Sequence, residues 1–293
     1  MNWDPITQHL EAAIGQPFRV SRVLSVGGGD INAAYRLQGE ETSYFVKLNR
    51  PEREAMFAAE FAGLAAMAAT RTVRVPAPVT FGKTKESAFI VLDYLDLSHK
   101  SKQADERLGQ QLAILHLQRQ AYFGWHLDNT IGSTPQLNGQ YSDWITFWRE
   151  RRLDFQLRLA AENGYSGSLQ KKGEQLSASL PVFFESYTPK PSLLHGDLWG
   201  GNASADNLGQ PVLYDPACYF GDHEADLAMT ELFGGFSAGF YAAYRETFPV
   251  DAGYAQRKIL YNLYHILNHL NLFGAGYLSQ AESMMSQLLA ELK

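Results

Sequence analysis

The chain has 293 residues, 45% of them apolar and 19% charged, which is ordinary globular composition, long for one hydrophobic core and comfortable for two lobes. A formal net charge of −6 with no basic run argues against nucleic acid as a partner. The lone cysteine, Cys218, forbids an internal disulfide, no apolar run of about 18 residues offers a membrane span, and the opening "MNWDPITQHLEAAIG" lacks the basic and apolar regions of a secretory signal, so a soluble cytoplasmic protein is expected.

Residues 4–14 read as a short helix, with Asp4 as N-cap and Pro5 at the first helical position. "FRVSRVLSV" and "AAYRLQG" read as strands on either side of "GGGDIN". "SYFVKLN" alternates apolar and polar residues around Lys47, as a half-buried strand does. Pro51 begins a helix rich in Ala, Glu and Met that runs to about Ala69. "VPAPVTFGK" reads as a turn and "SAFIVLDYL" as a buried strand.

Beyond Leu97 the pattern becomes helical. "KQADERLGQQLAILHLQRQ", "DWITFWRERRLDFQLRLAAENG", "SLQKKGEQLSASLPVFFES", "EADLAMTELFGG" and the last forty residues carry helical apolar spacing. "PSLLHGD" and "PVLYDPA" are the only short strands expected there, and the polar, Gly- and Pro-marked residues 129–143 are expected to form a loop. The chain therefore divides into a β-rich part, residues 1–95, and an α-rich part, residues 96–293.

Four features follow one another in chain order: the glycine turn, Lys47 in the next strand but one, Glu60 on the helix after that, and "HGDLWGGN" followed by "LYDPA". Phosphoryl transfer needs this inventory. Glycines let backbone N–H groups approach phosphate oxygens, which points to Gly27, Gly28 and Gly29. A lysine supplies a point charge to the phosphates, and a helix glutamate can hold it. One aspartate orients the attacking hydroxyl and accepts its proton, while an asparagine and a second aspartate offer oxygen ligands to Mg²⁺.

Spacing is the specific part. Asp197 and Asn202 stand as Asp and Asn do in the H-x-D-x-x-x-x-N loop of kinases. Asp215 ends the apolar run "PVLYDP", so a hairpin can return it to the same cleft. The order of features resembles the protein-kinase-like fold, an α+β architecture with a β-rich N-lobe and a mostly α-helical C-lobe. Gly196 replaces the arginine of protein kinases, Pro216 and Ala217 follow Asp215, and the next helix pattern starts almost at once. No room remains for an activation loop, so a small-molecule kinase is expected.

"VGGGDINAAYRL", "DNTIGSTPQ", "DWITFWRERRL", "LLHGDLWGGN", "DPACYFGDHEADLAM" and "FGGF" together resemble the fructosamine kinase (ketosamine-3-kinase) family. That resemblance implies ATP- and Mg²⁺-dependent phosphorylation of the sugar 3-hydroxyl of a ketosamine, free or on a protein, as a step of deglycation repair. Some family members carry a cysteine in the glycine-rich loop that links protomers under oxidation; Asp30 stands there in this chain.

Each candidate also has a plainer reading. Alone, Asp197 would be a buried structural aspartate; with Asn202 and Asp215 in register it reads as general base, and they as metal ligands. Lys47 in an apolar strand would ordinarily snorkel to the surface, but after a glycine turn it reads as the phosphate lysine, with Glu60 of "EFAGL" as its partner. Asp93, Tyr94 and Leu95 are either a hinge that meets adenine or a plain linker. Trp199 is either a core tryptophan or a platform for the substrate's sugar or amine. Asp226 reads as a brace for the catalytic loop, His195 as a residue that holds it, and Cys218 as a small buried hydrophobe. His265 and His269 have the spacing of a zinc pair but lack H-E-x-x-H and a third ligand, so they read as a polar seam; the resemblance puts His269 at the substrate cleft. Rival functions are a kinase for choline, an aminoglycoside or another amino alcohol, a catalytically silent nucleotide-binding regulator, and a metallohydrolase built on the histidine pair.

Overall fold

The computed structural model describes residues 2–27 and 31–292. The glycines Gly28 and Gly29, and Asp30, lie outside the described residues. In chain order the first part holds α1 (Asp4–Ile14), β1 (Arg22–Val26), β2 (Ala33–Gln38), β3 (Ser43–Asn49), α2 (Glu54–Thr70), β4 (Pro78–Lys83) and β5 (Ala88–Asp93). Its strands form an antiparallel five-stranded sheet in the order β1-β2-β3-β5-β4.

Two details of this part differ from expectation. The first helix is capped by Trp3, so Asp4 is already its first residue, with Pro5 behind it. "VPAPVTFGK" supplies β4, an edge strand that tolerates Pro78 at its start.

The sheet explains where Lys47 points. Alternate residues of a strand face opposite sides. Tyr44, Val46 and Leu48 of β3 join Phe89 and Val91 of β5 in a core closed by Ile6 and Leu10 of α1. Phe45 and Lys47 therefore face the other way, beside Ile90 and Leu92, onto the side where α2 packs. β5 is apolar almost throughout because both of its faces are covered. On α2, Phe57, Leu64 and Met67 are fully buried, and Glu60 shares their helical stripe.

The second part continues with β6 (Leu97–Ser98), α3 (Lys102–His116), β7 (Phe123–Trp125), β8 (Asn129–Ile131), β9 (Thr134–Gln136), β10 (Gly139–Tyr141), α4 (Trp144–Trp148), α5 (Asp154–Glu162) and α6 (Ser168–Ser179). It ends with β11 (Ser192–Leu194), β12 (Ala203–Asp206), β13 (Pro211–Leu213), β14 (Tyr219–Gly221), α7 (His223–Leu232), α8 (Ala238–Thr247), α9 (Tyr254–Phe273) and α10 (Leu278–Ala290). A π-helical stretch, Arg149–Leu153, joins α4 to α5.

Residues 129–143 are not a solvent loop. β8 and β9 pair as a hairpin, and β10 joins a small sheet in the order β10-β7-β14-β11. Asn129, Gln136 and Asn138 are buried, and their amides meet backbone carbonyls: Asn129 donates to Cys218 O (2.9 Å) and Gln136 to Ala217 O (3.2 Å). A polar segment goes inside here because every amide finds a partner. No helix among the described residues is long and apolar enough to cross a membrane.

Behind α7 and α9 lies a buried charged network. Arg257 grips Glu224 with two nitrogens (2.7 and 3.0 Å), reaches Asp251 (2.6 Å) and stacks on Tyr187 with its guanidinium carbon 3.9 Å from the ring centre. Removing one partner strands a buried charge. Arg257→Met is expected to lower unfolding free energy in urea titrations by about 3–5 kcal/mol; a loss below about 1 kcal/mol would show the network to be incidental.

Candidate active site

A cleft of about 620 Å³ opens between the five-stranded sheet and the segment that follows β11. Gly27, Lys47, Asp93, Tyr94, Leu95, Trp199, Asn202 and Asp215 all line it, so residues far apart in sequence converge on one space.

Lys47 Nζ donates to Glu60 Oε1 (2.6 Å) and to Asp215 Oδ1 (2.5 Å). Burial alone would push the ammonium toward the neutral form, but Asp215 and Glu60 outweigh it and hold the pKa above the ordinary lysine value. Glu60 lies nearly as deep as Lys47, and burial pushes its carboxyl up while Lys47 draws it down. Glu54, on the same helix, pairs instead with Lys83 at 2.7 Å.

The segment between β11 and β12 carries Asp197 and Asn202. Asn202 Nδ2 donates to the Asp197 backbone oxygen (2.8 Å) and to its carboxylate Oδ2 (3.1 Å). The β12–β13 hairpin then reverses the chain, and Tyr214 N–H donates to Asn202 O (3.1 Å). Asp215 follows with φ +57°, a left-handed conformation that costs a non-glycine residue energy and that Lys47 helps to hold. Its side chain is 47% exposed to the cleft.

Asp226 braces this loop from below. Its two oxygens accept the backbone N–H groups of His195 (2.7 Å) and Gly196 (2.8 Å), and His116 Nε2 lies 3.1 Å away. Burial would raise its carboxyl, but His116 and these N–H groups hold it below the usual aspartate value. Burial holds His195 neutral; its Nε2 donates to Tyr214 O (3.0 Å) and its Nδ1 accepts from Asp197 N–H (3.3 Å). Gly196 has φ +80°, and a Cβ there would sit 2.1 Å from Ala217 O, so no side chain fits where protein kinases place arginine.

These contacts crowd carboxylates around one ammonium. Burial, then the nearby charge of Asp215, push the Asp197 carboxyl up to about 7, with the Asn202 amide partly offsetting them. Among the described residues, Lys47 is the one ammonium paired with this group of Glu60, Asp197 and Asp215, so the cluster has room for a further cation. The donor set suits a hard one: Asp215 exposes its carboxylate, and Asn202, with its nitrogen committed to Asp197, turns its amide oxygen elsewhere.

The chain matches the fructosamine kinase family over residues 2–291. It belongs to that family. A protein of Synechocystis named as a probable ketoamine kinase is 47% identical over 98% of this chain and 97% of its own length. The chloroplastic protein-ribulosamine 3-kinase of Arabidopsis thaliana is 43% identical over 100% of this chain and 90% of its own. A solved structure from Haemophilus somnus, assigned as a fructosamine-3-kinase, superposes with a TM-score of 0.89 at 28% identity, covering 98% of this chain and 97% of that one. Choline kinase from Streptococcus pneumoniae shares the fold alone, with a TM-score of 0.64 at 16% identity over 98% of each chain. The architecture is therefore the two-lobed, protein-kinase-like one.

The remaining residues of this fructosamine kinase chain are placed as follows. Trp199 is no core tryptophan: it is 41% exposed, and its ring lies over Gly201, where a Cβ would sit 2.3 Å from it. His269 does not line the cleft. Its ring packs among Phe233, Phe273 and Tyr277 with centroids 4.9, 5.3 and 5.2 Å away, and Nδ1 lies 2.8 Å from His265 O. Among the described residues, no three His, Cys, Asp or Glu side chains gather as a metal-holding group. Cys218 is buried against Gly63 of α2. Hinge N–H groups are partly engaged already, Asp93 with Ala77 O (2.9 Å) and Tyr94 with Ser43 O (3.3 Å).

The sequence reading missed the cleft's apolar lining: Val26, Ala34, Phe45 and Leu92. The signal was present, since Phe45 stands two residues from Lys47 and so shares its face of β3.

The raised Asp197 carboxyl carries a sign. Its native pKa stands above the ordinary 3.8, so the folded state holds a proton that the unfolded state has lost between about pH 4 and pH 7. Stability therefore falls as pH rises through that window, and the full cost is present above it. Asp197→Asn is expected to raise Tm by several degrees at pH 8, and by less at pH 5. Thermal melts at the two pH values check this; a pH-independent difference would mean that the carboxylate is not strained.

Proposed function

We propose that this chain is an ATP-dependent phosphotransferase that phosphorylates the 3-hydroxyl of a ketosamine, free or attached to a protein. One observation carries the phosphotransferase reading: Asp197, bonded to Asn202, lies within electrostatic reach of an Asp215 that Lys47 holds beside the same cleft. The substrate class is supported by the family and by relatives named for ketoamines and ribulosamines. We read residues 1–95 as the nucleotide-binding lobe and 96–293 as the catalytic and substrate lobe.

ATP would enter with its adenine against Val26, Ala34 and Leu92, meeting backbone groups of residues 93–95. Lys47 and the glycine turn at Gly27 would take the phosphates. Asn202 and Asp215 would hold Mg²⁺, which when bound would neutralise phosphate charge. Asp197 orients the sugar O3–H and accepts its proton as the new O3–P bond forms; the bond between the γ-phosphorus and the β,γ-bridging oxygen breaks, and ADP leaves. Catalysis here is placement and charge stabilisation. The exposed face of Trp199 stands on the acceptor side, suited to stack on the sugar or meet the amine. His269, behind Phe233, acts on that side through its aromatic neighbours.

The test is ADP release on fructose-lysine and ribulose-lysine, against choline and an aminoglycoside, with NMR placement of the new phosphate. Turnover is expected on the ketosamines, with phosphate on O3. Asp197→Asn is expected to lose about 10²–10⁴-fold in turnover while keeping nucleotide affinity. Activity is expected to drop as pH falls through about 7, where the base takes up its proton. Turnover confined to choline or the aminoglycoside would reject the ketosamine assignment; nucleotide binding with no turnover on any acceptor would leave a silent regulator.

A further inference from the structure

Between β6 and α3 stands a lysine with no part in the chemistry described above. Lys100 is only 9% exposed at its side chain, and Asp105, its partner at 2.9 Å, 7%. A buried ammonium is costly unless every donor is used. Lys100 Nζ also donates to Gly235 O (3.3 Å) and sits 4.1 Å from the centre of the Phe236 ring. The other oxygen of Asp105 accepts the N–H of Ser237 (2.6 Å), the residue whose hydroxyl caps α8. One ion pair thus grips three successive residues of the connection between α7 and α8.

That connection lies against the catalytic loop, backbone on backbone. A Cβ on Gly235 would sit 2.6 Å from Gly200 Cα, and one on Gly200 would sit 2.9 Å from Gly235 Cα. Gly235 has φ +96°, so glycine is required there by conformation as well as by space. Gly200 follows Trp199 directly, and Phe233 precedes the contact with 40% of its surface exposed and its ring on His269. Trp199 lines the same cleft as Gly27, Lys47 and residues 93–95, and in the function proposed above it is the part given to the acceptor, the others the part given to the nucleotide.

We infer that Lys100 and Asp105 are positioning residues for acceptor binding: they press the 234–237 connection onto Gly200 and so fix Trp199 and Phe233 relative to Asp197. This rests on the reading of the cleft as a site shared by ATP and an acceptor. Neither residue touches substrate.

The experiment measures steady-state kinetics of Lys100→Met, Asp105→Asn, their double variant and Gly235→Ala, each checked by thermal melt. The acceptor is whichever one the wild type turns over, so an error in the ketosamine assignment does not obscure the result. Expected are a rise of about 10- to 100-fold in acceptor KM, an ATP KM within about twofold of wild type, and a double variant no worse than the worse single one. Gly235→Ala approaches the contact from an exposed loop, so it reports even if the buried variants fold poorly. Unchanged acceptor KM in folded variants, equal rises in both KM values, or additive losses in the double variant would overturn the inference.

Discussion

The site depends on one buried ammonium. Lys47 Nζ touches a helix glutamate and the aspartate that ends a distant hairpin, and so joins β3, α2 and the turn after β13. Strand alternation makes the bond possible, because Tyr44, Val46 and Leu48 must face α1 and leave Lys47 facing α2. Helical spacing completes it, because the stripe that buries Phe57, Leu64 and Met67 also carries Glu60 inward. The two carboxylates then outweigh the cost of burying the charge.

What holds the lysine leaves the rest of the site short of positive charge. Asp215 accepts from Lys47, and its field, added to burial, is what raises Asp197. The backbone carries strain at the same place, with Asp215 in a left-handed conformation. Both costs are borne by structure behind the cleft. Asp226 ties down His195 and Gly196, and the amides of Asn129 and Gln136 bind the carbonyls of Cys218 and Ala217. The loop that carries Asp197 and Asn202 and the segment after Asp215 are thus each pinned from behind, while Asn202 and Asp215 line the cleft. In the proposed reading, a site so arranged would be ready for a dication and a triphosphate before either arrives, which is what preorganisation means in electrostatic terms.

Much of this was legible in the residues, for identifiable reasons. The spacing of Asp197, Asn202 and Asp215 is local, and a short hairpin is enough to bring them together. Lys47 and Glu60 were legible because strand and helix periods fix which side chains turn inward. Other features depend on tertiary partners that no local pattern encodes. Residues 129–143 look like a polar loop; they are buried because distant carbonyls accept their amides. Trp199, an apolar residue, is half-open because the loop passes it over Gly201 at the cleft's edge. His269 reads as a polar residue at the cleft; its half-buried ring packs on aromatic rings contributed by two separate connections, which no local pattern announces. Strands of three residues, such as β8, β9 and β10, are too short for alternation to register.

In the proposed reading, the nucleotide and acceptor sides of the cleft are held by different physics. On the nucleotide side, charged side chains meet directly, and the geometry follows from ion pairs whose partners are set by secondary-structure period. On the acceptor side, Gly200 and Gly235 meet with no side chain between them, and the wall follows the path of the α7–α8 connection. That wall is tied to the rest of the loop, because Gly200 and Asn202 share one 3-10 turn and the Asn202 N–H donates to Trp199 O (3.0 Å). A fold shared with choline kinase at 16% identity carries the topology alone, so the choice of acceptor has to be argued from the wall itself, here a backbone contact between Gly200 and Gly235.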